Sequence, residues 1–589
     1  MSAKKTIWSL DDLYNDIDDP AITLDQNRCL KSCLSFVQLY WGKVNQLTPE
    51  EFYKAVVNLE SIKETCKKIT SFTDLAFAVN TRSEHIAKTR QSACEFAGDI
   101  NQKLLFFTLE WTRLPDKHAE RIINHPQLKP YRHYLGTLKS FKSHTLSIPE
   151  EKILAAKDLS GNQAWKTFFD KIIGNMHLGK NNVPIAKVLS NLYHGDRNIR
   201  KEAAFQLSTG LDSMMPAFSH IFNATVFDKT ITDDIRSYPK WLSERNLKNK
   251  ISDTWVSTLV NKVIDRYDIV HRYYKIKKQI LGYNRFFDYD RYAPLPGLSD
   301  KKYSWLEAKD IVLQAFYNVS PQFSDIAKLF FDNNWIHAKV MNGKVSGAFS
   351  WSTVPKCHPY ILLNFTNTYK DMMVLAHELG HGIHQYLCRG QWFLNTIMPA
   401  TIAEVPAVFA EIIVFDFLFE KTRNQKEKTA IVGNRLEDII NTLFRQIALF
   451  CFEDAIHKKR RSSGALETMQ INNIWMLTQK DLYKNSVYLQ KTYGTWWAYI
   501  PHFIHAPGYV YAYALAELTA LLLHNRYKKD KKDFVFRYVN MLKSGGSCNL
   551  DTMLKPFHID MHDPCFFDKS LDIVETLLEK FADKAAPNR

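Results

Sequence analysis

A chain of 589 residues that is 46% hydrophobic has ample apolar material for a large buried core, and length alone suggests about three or four domain-sized units. Its net charge of +15 is spread over short runs such as "HKKRR" (457–461) and "YKKDKKD" (527–533), without the stripe or module that a nucleic-acid binder needs. Nine scattered cysteines, none in a C-x-x-C pair, exclude a disulfide framework or a cysteine-zinc module and fit reduced thiols.

In chain order, the opening "MSAKKTIWSLDDLYNDIDD" turns acidic where a signal peptide needs an apolar stretch. Ser9 and Thr48 read as N-caps, with Pro49 in a first helical turn. "PEEFYKAVVNLESIKETCKKITSFTDLAFAV" and the stretch from "ITDDIRSYPKW" to "YYKIKKQIL" carry apolar residues at helical spacing. Residues 344–365, "KVSGAFSWSTVPKCHPYILLNF", break that pattern and read as a small sheet with turns. Its strand around Gly347, Ala348 and Phe349 offers either an edge for an extended peptide or a structural layer under the next helix, and the two are compatible. The densest apolar run, "IIVFDFLFE", is broken by Asp416 and falls short of the roughly 18 residues that cross a bilayer. The expectation is a soluble cytoplasmic protein with neither a membrane nor a nucleic acid as partner. The "HKKRR" and "YKKDKKD" runs are expected at solvated helix ends or loops.

The chemistry concentrates in "MMVLAHELGHGIHQYLC", residues 372–388. On a helix His377 and His381 lie one turn apart on one face, so two imidazoles converge on a point with Glu378 beside them. That suits a zinc ion with a carboxylate ready to take a proton from its water. A catalytic zinc needs a third protein ligand. Glu404 stands 404 − 381 = 23 residues on, in the apolar "TIAEVPAVFAEIIVFDFLFE", where Pro406 suggests a helix beginning near Glu404. Burying a carboxylate there is costly unless it is paired or on a metal. Glu411, two turns further, is placed to orient a ligand histidine through its second nitrogen. His384 reads as a structural neighbour, and Cys388 as a buried helix residue. Downstream, "WWAYIPHFIHAPGYVYAYALAEL" sets His502 and His505 before Tyr509, Tyr511 and Tyr513, which reads either as core packing or as a polar wall able to donate to an oxyanion.

The H-E-L-G-H motif followed by Glu404-Val405-Pro406 and Glu411 resembles the oligoendopeptidase F and thimet-oligopeptidase family of zinc metallopeptidases. The likeness to oligoendopeptidase F runs nearly end to end, through "WSLDDLY", "HTLSIPEEKILAAKDLSGNQAW", "DYDRYAPLPG", "IPHFIHAPGYVYAYA" and "LKSGGS". The resemblance implies a mainly α, two-lobed fold with a deep central channel and a small sheet beside the H-E-x-x-H helix. It implies an N-terminal helical region (1–112), an oligoendopeptidase F-type lobe segment (113–199) and a zinc metallopeptidase catalytic region (200–589). One zinc ion per chain is expected on His377, His381 and Glu404, with Glu378 as base and Glu411 supporting a ligand histidine. Short peptides are the expected substrates. In the late segment Tyr513 is the first choice for substrate contact, with His502 ahead of His505 because of its "PHF" context.

The reaction expected is hydrolysis of an internal peptide bond by a zinc-activated water, with Glu378 shuttling the proton to the leaving amine. A zinc aminopeptidase, which shares the ligand scheme, should carry a Gly-x-Met-Glu-Asn type stretch for the substrate's amino end, and the sequence has none. A non-catalytic peptide-binding relative would most simply have lost Glu378 or a ligand, and none is missing.

Overall fold

The computed structural model describes residues 6–298 and 301–585. Helix dominates, and the described strands are two or three residues long, gathered into one two-stranded and one three-stranded sheet. The chain divides into two compact units, each assembled from separated stretches. One takes the chain up to Ile153, Lys302–Val414 and Arg526–His558; the other takes Leu154–Lys301, Phe415–Asn525 and the chain from Ile559 onward.

In the first unit the helices Pro20–Tyr40, Pro49–Val79 and Glu84–Arg113 pack side by side. Their starts are fixed by side chains that accept the N–H groups a first turn leaves free. Asp19 accepts from Ala21, Ser83 accepts from Ile86, and Thr48 forms a reciprocal capping box with Glu51. Ser9 does not cap a helix: its hydroxyl accepts from the Asp11 N–H at 3.3 Å in a local turn, the competing use of a serine next to aspartates. Between the helices Phe52 meets Phe107 and Trp111 at ring separations of 5.4 and 4.8 Å. Glu60 is buried in this layer and accepts from the Tyr131 hydroxyl at 2.5 Å and the Leu394 N–H at 2.9 Å, so its carboxylate is not left bare.

The same unit holds the three-stranded sheet. Tyr360–Leu362 is central and fully buried, pairing in parallel with Ile336–His337 and antiparallel with Phe349–Trp351. The Phe349 strand is therefore an edge. It is tied to the helix Tyr369–Leu387 by Ser350, which donates to Gln385 Oε1 at 2.8 Å and accepts from Gln385 Nε2 at 3.2 Å. The small sheet thus lies beside the H-E-x-x-H helix.

That helix crosses Ala400–Lys421 at Gly380, where a Cβ would stand 2.6 Å from the Pro406 carbonyl oxygen and 2.7 Å from Ala407 Cα. Only a hydrogen on Gly380 lets the two backbones approach this closely. The second helix begins at Ala400, four residues before the expected start, and carries Pro406 inside it. The proline forgoes one helical hydrogen bond, but its carbonyl forms the surface on which Gly380 sits.

In the second unit the periodic stretch 231–281 runs from the end of the helix Met215–Ile235 through Ser243–Asn249, Asp253–Ile264 and Asp268–Ile280, broken near Pro239, at Lys250, which has a left-handed φ of 56°, and again at 265–267. "DYDRY" (288–292) is a buried charge junction: Asp290 binds Arg197 and Arg200, while Arg291 donates to the hydroxyls of Tyr483 and Tyr493. The "HKKRR" run is only partly a solvated helix end. His457 is buried against Trp241 with ring centroids 4.2 Å apart, and Arg461 pairs with the buried Asp233.

Gly380→Ala should lower the midpoint of thermal unfolding, by overpacking that costs about 1–3 kcal/mol. Gly98→Ala, in the helix Glu84–Arg113 with open space around the added Cβ among the described residues, should hold or raise it. Calorimetry of the two variants tests the contrast in sign.

Candidate metal centre

The helix Tyr369–Leu387 starts from a capping box between Thr368 and Asp371 and buries Met372, Leu375, Ala376, Leu379 and Ile383. That apolar face fixes its rotation, and His377 and His381 emerge together with ring centroids 4.9 Å apart. Glu404 comes from the crossing helix: its Oε2 lies 3.7 Å from His377 Nε2 and 3.5 Å from His381 Nε2. One ligand atom from each of the three falls within 4.8 Å of the others. Donors about 2.0–2.2 Å from one ion at tetrahedral angles stand roughly 3.4 Å apart, so this group is sized for an ion such as zinc.

Glu411, on the next turns of the Glu404 helix, accepts a hydrogen bond from His377 Nδ1 at 2.5 Å. This fixes the ring and leaves Nε2 facing Glu404. Burial opposes a charge on His377, but the hydrogen bond and charge of Glu411, with Glu378 and Glu404 close by, hold its pKa up at about 10. A metal held there would have to displace a proton. Glu378 is buried, and its Oε2 has no hydrogen-bond partner among the described residues. Burial raises its pKa against the opposing pull of His377 and His381. A buried carboxylate oxygen left without a partner calls for an explanation, and this one lies beside three converging donors. His384 stays outside the donor group. Burial, with His381 alongside, pushes its pKa down to about 3 and keeps it a neutral core imidazole.

Of the sheet residues, only Phe349 lies in the edge strand. Gly347 and Ala348 precede it: Gly347 has a φ of 89° and its carbonyl accepts from Asn364 Nδ2 at 3.2 Å, so it turns the chain into the strand. In the second unit, His502 Nε2 stands 3.3 Å from the Tyr513 hydroxyl, and the Tyr509 ring lies 5.2 Å from that of Tyr513. His505 turns elsewhere, to Asp170 at 2.8 Å and the Phe169 ring. Tyr511 is fully buried, donating to Asn246 Oδ1 at 2.9 Å and accepting from Asn249 Nδ2 at 2.8 Å. The structure thus separates His502, Tyr509 and Tyr513 from His505 and Tyr511.

Two residues that sequence reasoning missed hold the turn before these tyrosines. Buried Glu453 accepts from the Gly508 N–H at 2.9 Å, and Arg245 donates to the Pro507 carbonyl at 3.1 Å. Gly508 has a φ of 70°, and a Cβ on it would meet Leu242 at 2.6 Å. Glu453 sits in the apolar "LFCFEDAI", the same signal that marked Glu404.

A helical fold carrying an H-E-x-x-H pair and a distant glutamate defines a class, the helical metallopeptidases. Residues 190–573 match the model of peptidase family M3, and residues 110–177 match that described as oligopeptidase F. The chain belongs to peptidase family M3 and is a metalloendopeptidase. It is similar to the oligopeptidase PepF of Bacillus subtilis, 25% identical over 97% of this chain and 87% of the relative. An oligoendopeptidase F homolog of Lactococcus lactis is 24% identical over 99% and 98%. The crystal structure of oligoendopeptidase-F from Enterococcus faecium superposes with a TM-score of 0.72 at 19% identity, covering 96% of this chain and 97% of that one. Among the described residues no helix is long and apolar enough to cross a membrane.

Tyr511→Phe should lower the unfolding free energy by about 1–3 kcal/mol, because Asn246 and Asn249 lose a shared buried partner. Tyr513→Phe should leave stability nearly unchanged. Denaturant unfolding of both variants tests this assignment.

Proposed function

We propose that the chain cuts internal bonds of short, unstructured peptides using one zinc ion held by His377 Nε2, His381 Nε2 and a Glu404 oxygen. The observation that carries the proposal is the convergence of these three donors within 4.8 Å, beside a buried Glu378 oxygen without a partner. The restriction to short peptides is supported by the oligopeptidase and oligoendopeptidase names of the relatives.

When bound, the ion supplies Lewis acidity, lowering the pKa of a coordinated water and polarising the scissile carbonyl. Glu378 takes the proton of the attacking water and returns it to the leaving amine. Its burial, which raises its affinity for a proton, suits it to that shuttle. Glu411 keeps the His377 ring in one tautomer and orientation. The hydroxyl of Tyr513, set against His502, donates to the oxygen on which charge develops. Tyr509 packs that pair in place. The outer edge of the Phe349 strand pairs with the extended substrate backbone.

A quenched fluorogenic peptide blocked at its amino end should be cleaved, and a chelator should abolish the cleavage. His381→Ala should lose most of the roughly one zinc per chain that elemental analysis finds. Glu378→Gln should keep the zinc while turnover falls about a hundredfold or more. Full zinc retention by His381→Ala, or appreciable turnover by Glu378→Gln, contradicts these roles. Tyr513→Phe should reduce kcat by about 10²-fold with little change in KM. Equal kcat in Tyr513→Phe and the parent protein removes the hydroxyl from the mechanism.

A further inference from the structure

The second unit contains a cavity of about 530 Å³, within the roughly 300–1,000 Å³ range of small-molecule sites, at the ends of the helices Asp268–Ile280 and Thr468–Tyr483. Lys278, Arg285, Lys480 and Lys484 line it, and among the described residues no aspartate or glutamate does. We propose that this cavity is a binding site for an oligophosphate group, either free or as the tail of a nucleotide.

The four cations differ from their neighbours in making no ion pair among the described residues. Lys277, adjacent to Lys278, is buried on Glu437, and Arg197 and Arg200 are both spent on Asp290. Lysines in a last helical turn do balance the helix dipole, but each helix end supplies only about half a negative charge. Two helix ends therefore offset about one of the four positive charges, and a surplus of about three remains.

The site is also shaped in advance. Arg285 lies over the Tyr488 ring at 3.4 Å from its centroid. The Tyr488 backbone is pinned by an N–H donated to the Phe286 carbonyl at 2.7 Å and a carbonyl accepting from Asp288 at 3.1 Å. In the run that carries Tyr488, Lys484 ends its helix with a φ of 47° and an N–H donated to the Lys480 carbonyl at 2.7 Å, which fixes the backbone carrying both lysines. A guanidinium fork held on an aromatic ring suits phosphate oxygens. With that face of Tyr488 covered by Arg285, the ring braces the cation instead of stacking a base, so charge and not a nucleobase sets recognition.

Calorimetric titration of the full-length protein with tripolyphosphate, ATP and AMP tests the proposal. Tripolyphosphate and ATP should bind within about threefold of each other and weaken with added salt, and AMP should bind about tenfold or more weakly. Lys480→Gln/Lys484→Gln should lose about tenfold or more in tripolyphosphate affinity, and Lys480→Arg/Lys484→Arg should retain it. Lys531→Gln/Lys532→Gln, which removes the same charge from another exposed basic run, should bind as the parent does. Undiminished affinity in the glutamine pair at 480 and 484, or an equal loss in the pair at 531 and 532, overturns the site. ATP binding about tenfold tighter than tripolyphosphate overturns recognition by the phosphates alone.

Discussion

The candidate metal centre depends on one close contact: Gly380 against the Pro406 carbonyl and Ala407. The two histidines and Glu378 belong to one helix, and Glu404 and Glu411 to the other. No residue on either helix alone can bring Glu404 to 3.5 Å from His381. The spacing is set by backbone meeting backbone, without a side chain in between to flex. Along the crossing, Glu411 reaches His377 while Glu404 faces both histidines, so one rigid-body placement settles the donors and their support together.

This arrangement also bears on the cost of burial. Glu378, Glu404 and Glu411 lie within one small region, and three carboxylates in such surroundings repel one another and resist desolvation. The imidazoles of His377 and His381 offset part of that cost, visibly in the raised pKa of His377. A divalent ion is the natural complement to the remainder. The buried charges of the second unit are balanced differently, by arginine and tyrosine around "DYDRY".

Much of the centre was legible in the sequence because its geometry is local. Residues four apart share a helix face, and a carboxylate in an apolar segment needs a reason. Local rules start the Glu404 helix near Glu404, because Pro406 is a good first-turn residue, while the helix in fact begins at Ala400 and keeps the proline inside, where its carbonyl meets Gly380. Alternation places Gly347 and Ala348 in the edge strand, but strand ends depend on ladder partners, here Leu362, that alternation does not reveal. Local pattern makes Ser9 an N-cap before "LDDLY", whereas its hydroxyl closes a turn. His502 and His505 could not be separated locally, since the residue that draws His505 away is Asp170, 335 positions distant in the chain. The same holds for the cationic cavity, whose walls come from residues 278–286 and 480–489. Each run alone looks like an ordinary basic helix end.

X-ray absorption spectroscopy at the zinc edge of the purified protein tests the central claim most directly, because it reports the donor atoms themselves. The account predicts a shell of nitrogen and oxygen at about 2.0–2.2 Å, with the outer-shell scattering of two imidazoles. A shell containing sulfur, or scattering from three imidazoles that brings in His384, would contradict it.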